Sequence, residues 1–216
     1  MQLAIAVFDG MTSLDAIGPF TVLTSLPGTE VAIVAERPGA VTDDRGLGLV
    51  AQAAFEDIPA PDVIVVPGGV VTHRMVRDGH PAIDWVRAVH PTTTWTTSVC
   101  TGALLLAAAG VLDGVDATTH WTAHGKLATL GARPVDERVV ERGKIITSAG
   151  VSAGIDMALT LAARLAGDET AQRIQLSIEY DPHPPFTAGS PATAPPSVVE
   201  AARTRSAEFL RDLLTP

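Results

Sequence analysis

Short runs of consecutive apolar residues alternate along the chain with segments whose apolar residues recur at helical spacing. Uninterrupted apolar runs are typical of strands buried on both faces, and their alternation with helices is typical of a parallel sheet covered on both sides. The predicted strands are residues 3–8, 31–36, 62–69, 92–100 and 144–150. The pattern therefore predicts a doubly wound α/β fold with a mostly parallel sheet.

Other regions depart from this alternation. Residues 40–55 carry an Asp-Asp-Arg-Gly turn between extended segments, which predicts an antiparallel excursion at the sheet edge. Residues 181–197 are rich in proline and small polar residues, which predicts a long loop. The last third is otherwise helical. Residues 151–167 are apolar on nearly every face and predict a buried helix, and further helices are expected over 168–180 and 197–214.

Composition narrows the class of protein. The 216 residues, 46% of them apolar, are enough for one α/β domain spanning 1–216. A net charge of -9 with 15 scattered Lys and Arg argues against a nucleic-acid partner. The first residues lack a basic segment and a long apolar run, which argues against a secretion signal and a membrane span. A single cysteine forms no intramolecular disulfide, so we expect a cytoplasmic protein.

That cysteine, Cys100, ends the predicted strand 92–100 and is followed by Thr-Gly-Ala and a helical apolar run. Its thiol is expected at the carboxyl end of a strand, where open α/β sheets bind ligands. There it would also face a helix N-terminus, whose free N–H groups and dipole lower the pKa of a thiol. Cysteine is equally one of the most buried residue types. Spacing alone therefore leaves open either a buried core thiol or a nucleophile.

Glycine-bearing segments close two other predicted strands. Gly68 and Gly69 end one strand, and Gly150 and Val151 follow another. Together with the amide of Thr101, their backbone N–H groups can form a donor set for a developing negative charge. Ordinary strand-to-helix turns also use such glycines, so these residues could equally form a donor set or simple turns.

General acid–base catalysis would require a His, Asp or Glu side chain near the same strand ends. Asp15 follows the first strand, and Ser13 can cap the helix that begins there, which leaves Asp15 free to face the crevice or to bind helix N–H groups itself. His120 is the most plausible imidazole partner of Cys100, with a structural role as the alternative. The remaining histidines are expected to be solvated: His73, His80, His90, His124 and His183. No metal site is predicted, because no ligand-like spacing shares a strand end.

Five stretches carry a resemblance to a known family: FDGMTSLDAIGPF, DVIVVPGG, TSVCTGALLLAAAGVLDGVDATTHW, ITSAGVSAGIDMAL and AQRIQLSIEYDPHPPFTAGSP. Together they resemble the ThiJ/PfpI group of the class I glutamine amidotransferase-like superfamily, and within it the isocyanide hydratase branch. The resemblance covers nearly the whole chain. It implies a flavodoxin-like three-layer α/β/α sandwich with a nucleophile elbow, assembled as a homodimer.

The resemblance also implies roles for particular residues. Cys100 matches the nucleophile, Asp15 the acidic residue facing it, Thr101 the residue after the elbow, and Gly69 and Val151 the backbone donors. A glutaminase triad is missing, because no histidine is followed two residues later by Asp or Glu. The protease-like branch has His directly after the cysteine, where this chain has Thr101, and many other members carry Glu where this chain has Asp15.

The implied reaction is hydration of an isocyanide to an N-substituted formamide without a cofactor. Cys100 would form a thioimidate, Asp15 would act as general acid and then as base for water, and the Thr101 hydroxyl would orient Asp15 or the water. Alternatives are a glyoxalase-like or amide-cleaving activity and a non-catalytic ligand or redox sensor. Transcription regulators also join a similar domain to a helix-turn-helix module, and here the chain ends after one helix.

Overall fold

The computed structural model describes residues 1–215. The strands are β1 (Gln2–Ala6), β2 (Glu30–Ala35), β3 (Gly39–Thr42), β4 (Gly48–Ala51), β5 (Ala53–Ala54), β6 (Val63–Val66), β7 (Trp95–Val99), β8 (Asp116–Ala117), β9 (Arg133–Pro134), β10 (Val139–Arg142) and β11 (Ile145–Ser148). The helices are α1 (Ser13–Leu23), α2 (Thr72–Asp78), α3 (Pro81–Val89), α4 (Gly102–Ala108), α5 (His124–Thr129), α6 (Ala153–Ala166), α7 (Asp168–Ser177) and α8 (Pro196–Leu214).

A seven-stranded sheet forms the centre of the molecule, in the order β10-β11-β7-β6-β1-β2-β5. All its neighbouring strands are parallel except β10 and β11. From β1 the chain moves first to β2 on one side and later to β6 on the other, so the carboxyl ends of β1 and β6 flank the point where the strand order reverses. In such sheets that point forms a crevice for ligands.

Helices cover both faces of the sheet. Helix α6 packs against α1 and α7, and α4 packs against α2 and α3 in a second group. The four residues of β6 are buried, as their uninterrupted apolar sequence predicts. The structure confirms the predicted fold class, a three-layer α/β/α sandwich with a mostly parallel sheet.

The antiparallel excursion is confirmed and more local than expected. β3 and β4 pair antiparallel in a two-stranded sheet of their own, and β5 then joins the edge of the main sheet parallel to β2. This hairpin is attached to the loop after β1, where the Gly10 N–H donates to the Thr42 carbonyl at 2.8 Å. The excursion therefore reaches the carboxyl edge of the sheet.

The prediction that residues 151–167 form a buried helix holds for one side of α6 only. Met157, Ala158 and Leu161 of α6 are buried, whereas Arg164 is exposed and Asp156 is half-buried. The helix packs one side on the sheet and on α1 and turns the other toward solvent, and its alanines do not distinguish the two sides in sequence. In residues 1–215 no helix is long and apolar enough to cross a membrane.

Candidate active site

Cys100 forms a tight turn between β7 and α4. Its backbone has a φ of 57°, a left-handed conformation that costs a non-glycine residue about 1–3 kcal/mol. Surrounding hydrogen bonds hold the turn: the Cys100 N–H donates to the Ser148 carbonyl at 3.0 Å, and the Thr119 hydroxyl donates to the Cys100 carbonyl at 2.8 Å. Cys100 as a whole is only 5% exposed, so its side chain is buried. The chain thus turns at the cysteine itself, as in a nucleophile elbow.

Close backbone packing explains the glycines around this turn. A Cβ on Gly102 would lie 2.1 Å from the Val66 carbonyl oxygen, and a Cβ on Gly68 would lie 2.5 Å from the Thr101 nitrogen. Both contacts are with backbone atoms, which cannot move aside as a flexible side chain can. The end of β6 and the start of α4 therefore meet only because these positions lack side chains.

Asp15 lies in the first turn of α1 and is completely buried. The Gly68 N–H donates to its Oδ2 at 3.0 Å, while its Oδ1 has no hydrogen-bond partner of normal geometry among the described residues. Thr12, and not Ser13, is the N-cap of α1, and its side chain makes no capping hydrogen bond. The Ser13 hydroxyl instead bonds the Asp43 carboxylate. The Asp15 carboxyl is therefore directed to the strand end and does not cap its own helix.

Burial raises the pKa of the Asp15 carboxyl from 3.8 to about 7. The hydrogen bond from Gly68 and the interaction with the Cys100 thiol act in the opposite direction, and the negative charge of Asp44 adds to the rise. An acid that titrates near neutral pH can both accept and return a proton under physiological conditions.

The expectation that the helix N-terminus lowers the pKa of Cys100 is wrong. Burial raises the pKa of this thiol, and the charge of the neighbouring Asp15 raises it further; hydrogen bonds from Thr101 and Val151 lower it by less. The seven-residue α4 offers too little favourable field to outweigh desolvation. Resting Cys100 is thus a thiol, and its proton must leave during the reaction.

The predicted backbone donors fall into two groups. The Thr101 and Val151 N–H groups interact with the Cys100 sulfur. The Gly68 N–H is taken by Asp15, and the Gly69 N–H donates to the Thr101 hydroxyl at 2.9 Å, so the expectation that these two glycines face the reacting atoms is wrong in this arrangement. They hold the carboxyl and the hydroxyl in place instead.

The Thr101 hydroxyl bridges the elbow and the end of β6. It accepts from the Gly69 N–H and lies 2.9 Å from the Gly69 carbonyl, to which it donates. It also interacts with the Cys100 sulfur. Thr101 therefore positions the elbow against β6. A histidine at this position, as in the protease-like branch, would lack the compact hydroxyl that makes this bridge.

A cavity of about 350 Å³ opens beside Val151 and Gly150. His120 and Trp121 form part of its wall, and the Pro-rich loop contributes Ser190. The His120 ring packs directly on Gly150, where a Cβ would lie 2.3 Å from its Cδ2. This cavity therefore lies next to Val151, one of the two donors that interact with the Cys100 sulfur.

His120 is part of this wall and is not hydrogen-bonded to Cys100 among the described residues. Its Nδ1 lies 2.7 Å from the Thr122 hydroxyl within the same turn, and burial lowers the pKa of its ring. Sequence reasoning also expected the other histidines to be solvated. This is wrong for four of them, which are partly buried: His73, His80, His90 and His124. Among residues 1–215, no three His, Cys, Asp or Glu side chains lie close enough to hold a metal ion.

Comparison with known proteins identifies the family. The profile of the DJ-1/PfpI family matches residues 1–164, which is more than half of the chain. The chain belongs to the DJ-1/PfpI family. This confirms the resemblance that the sequence motifs carry.

Two relatives within the DJ-1/PfpI family match almost the whole chain. An isonitrile hydratase from Pseudomonas putida is 47% identical over 211 residues, which cover 98% of this chain and 92% of that protein. A crystal structure of a ThiJ/PfpI family protein from Pseudomonas syringae superposes with a TM-score of 0.93 at 39% identity and covers 98% of this chain and 88% of that one.

A transcriptional regulator matches a smaller part of this chain. The HTH-type transcriptional regulator GbdR from Pseudomonas aeruginosa is 32% identical over 139 residues, which are 63% of this chain and only 37% of the regulator. The similarity to the hydratase is therefore both higher and more extended than the similarity to the regulator.

Proposed function

We propose that this protein hydrates isocyanides, R–NC, to N-substituted formamides. Isonitrile is another name for isocyanide, so the 47% identity with an isonitrile hydratase over 98% of the chain is the observation that carries the proposal. The site supports it, because a buried carboxyl with a pKa of about 7 lies against a thiol on a strained turn. Isocyanide hydration needs a nucleophile and a proton donor at the same carbon, and Cys100 and Asp15 supply both.

In the first step the Cys100 sulfur attacks the terminal carbon of the isocyanide. The Asp15 carboxylate takes the thiol proton and delivers it to that carbon, which gives the thioimidate R–N=CH–S–Cys. The thiol has a raised pKa and a free thiolate is scarce, so proton transfer to Asp15 must accompany the attack. The Thr101 and Val151 N–H groups stabilise the negative charge on sulfur as it develops.

In the second step water replaces the sulfur. Asp15 takes a proton from water, the hydroxyl adds to the thioimidate carbon, and the proton passes to nitrogen, which gives the tetrahedral R–NH–CH(OH)–S–Cys. Collapse breaks the carbon–sulfur bond and releases the formamide R–NH–CHO, while the hydroxyl proton returns through Asp15 to the thiol. Over the cycle R–NC and water give R–NH–CHO, and Cys100 returns to its thiol form, so atoms and charge balance. The residues named supply every proton transfer.

A direct assay tests this proposal. Purified protein incubated with cyclohexyl isocyanide is expected to form N-cyclohexylformamide, followed by its formyl proton in NMR. The value of kcat/KM is expected to rise with pH through a midpoint near 7, because Asp15 must lose its proton before it can accept that of Cys100. Absence of formamide at every pH from 5 to 9, with folded protein, would contradict the proposal.

We also propose that the active form is a homodimer. An apolar groove of about 260 Å³ runs between α1, β2 and β4, lined by Ile17, Phe20, Ile33 and Leu49 among others. Leu14, one helical turn from Ile17, is 42% exposed beside it. Exposure of such an apolar surface to water is unfavourable, and a second copy of the chain would bury it.

Sedimentation analysis tests the dimer. The wild-type protein is expected to sediment with twice the mass of the 22.4 kDa chain, and Leu14→Asp to shift it toward the monomer by placing a charge at the contact. Phe209→Asp on α8, where the side chain is 51% exposed, is the matched control and is expected to leave the mass unchanged. A monomeric wild type, or equal effects of both substitutions, would contradict this assembly.

A further inference from the structure

The cavity beside Val151 is joined to the elbow by hydrogen bonds of its own wall. Thr119 and Ala149 both line it. The Thr119 hydroxyl donates to the Cys100 carbonyl at 2.8 Å, and the Cys100 N–H donates to the Ala149 carbonyl at 3.2 Å. The R group of an isocyanide that reacts at Cys100 therefore has this cavity beside it.

A second, smaller cavity of about 150 Å³ lies between α8 and the Pro-rich loop. Its wall is mainly apolar, whereas the cavity beside the elbow has three exposed charged residues in its wall, Asp136, Glu137 and Arg138. An apolar chain is therefore better buried in the second cavity than in the first. The apolar residues of the second cavity include Ala188, Ala194, Val198, Val199 and Ala202.

Trp121 stands between the two cavities. It lines both of them, together with Gly189, Ser190 and Pro191. Of these four residues Trp121 has the largest side chain, so its indole forms most of the partition. The Arg203 guanidinium of α8 lies 5.7 Å from the centroid of the Trp121 ring, within the range of a cation–π interaction. Helix α8 thus contributes a contact that holds the indole in place.

We propose that Trp121 is a specificity-determining residue that restricts this protein to isocyanides with a compact R group, and that Arg203 is the positioning residue that holds Trp121. This inference rests on the proposed function. A long alkyl chain that starts at Cys100 must either stay beside the exposed charged wall, in contact with water, or enter the apolar cavity. The Trp121 indole closes the way into that cavity.

Trp121→Leu tests the role of the indole with n-butyl, n-hexyl and n-octyl isocyanide. In the wild type kcat/KM is expected to level off along this series. In Trp121→Leu it is expected to keep rising, by about fourfold for each methylene that enters the second cavity, the factor for burying one CH₂ group. The gain is expected in KM, because the chain binds equally in the ground state and the transition state.

Matched variants separate this role from a loss of stability. Trp95→Leu removes another partly buried indole, at the start of β7 on the opposite edge of the sheet, and is expected to keep the wild-type dependence on chain length. Trp121→Phe keeps an aromatic ring and is expected to lie between wild type and Trp121→Leu. Thermal unfolding of each variant shows whether it is folded.

Arg203→Gln tests the positioning residue. It is expected to raise the octyl-to-butyl ratio of kcat/KM by about two- to fivefold, the factor that corresponds to losing one exposed cation–π interaction. Arg205→Gln removes the same charge from the same helix and is expected to leave the ratio unchanged. Equal ratios in Arg203→Gln and the wild type would contradict the role of Arg203.

A second measurement does not depend on hydration. Cys100 is the only cysteine, so N-butyl and N-octyl iodoacetamide label one site, and intact mass gives the two rates. The octyl-to-butyl ratio of these rates is expected to rise in Trp121→Leu. The same chain-length dependence in Trp121→Leu and the wild type, or the same change in Trp95→Leu, would overturn the inference. If the wild type forms no formamide, the proposed function fails, while the labelling rates still decide whether Trp121 restricts access.

Discussion

Replacing Cys100 with alanine is expected to lower formamide production by about 10⁴-fold or more, because Cys100 is the attacking group of the covalent route and the only cysteine in the chain. Cys100→Ser is expected to be almost as inactive, since a buried hydroxyl is far harder to deprotonate than a thiol. The measurement is turnover of cyclohexyl isocyanide, with intact-mass detection of the cysteine adduct in wild-type protein quenched during the reaction.

The fold of these variants is expected to survive. Alanine and serine adopt the left-handed backbone at φ 57° at an energetic cost similar to that of cysteine. Both variants are therefore expected to unfold near the wild-type temperature. Cys100→Gly is the informative control for this strain, because glycine adopts that conformation without a penalty. Formamide formation by folded Cys100→Ala at a rate near that of the wild type would exclude the covalent mechanism.

Asp15→Asn is expected to slow hydration by about 10²–10⁴-fold, the usual contribution of a general acid–base group, and to stabilise the protein at alkaline pH. The folded-state pKa of about 7 lies above the ordinary 3.8. The native protein therefore holds a proton between these values that the unfolded chain has lost, and this contribution to stability, complete below about pH 4, disappears as pH rises through 7.

The stability difference is measurable by chemical unfolding of both proteins at several pH values. Relative to Asp15→Asn, the wild type is expected to lose on the order of 4 kcal/mol between pH 4 and pH 8, from 1.36 kcal/mol for each unit of the pKa rise. Asp84→Asn, at a side chain 77% exposed on α3, is the control for loss of a carboxylate at the surface. A destabilised Asp15→Asn with normal turnover would make Asp15 a structural residue of α1 and place the acid elsewhere.

Much of this architecture follows from patterns that local sequence contains. Uninterrupted apolar runs such as the one in β6 predict parallel strands, and a cysteine between a strand and a helix, followed by a small residue at Gly102, predicts a tight turn. Asp15 could be placed at the same sheet edge, because carboxyl ends of parallel strands share an edge. These features depend on residues close together in the chain.

The features that sequence reasoning missed depend on distant segments. The sign of the pKa change at Cys100 is set by burial beneath several elements, which no local pattern reports. The hydrogen-bond partners of the Gly68 and Gly69 N–H groups are Asp15 and Thr101, which come from distant parts of the chain and cannot be inferred from the local sequence.

The backbone contacts at Gly68 and Gly102 bear on how readily this enzyme can be altered. Any side chain at either position meets a backbone atom within 2.5 Å, so substitutions there are expected to be lost from a library selected for folded protein. The cavity wall at Ser190 and Pro191 belongs to a loop with little burial, where variation costs little stability. Directed evolution toward bulkier isocyanides therefore has room in this loop and almost none at the elbow that performs the chemistry.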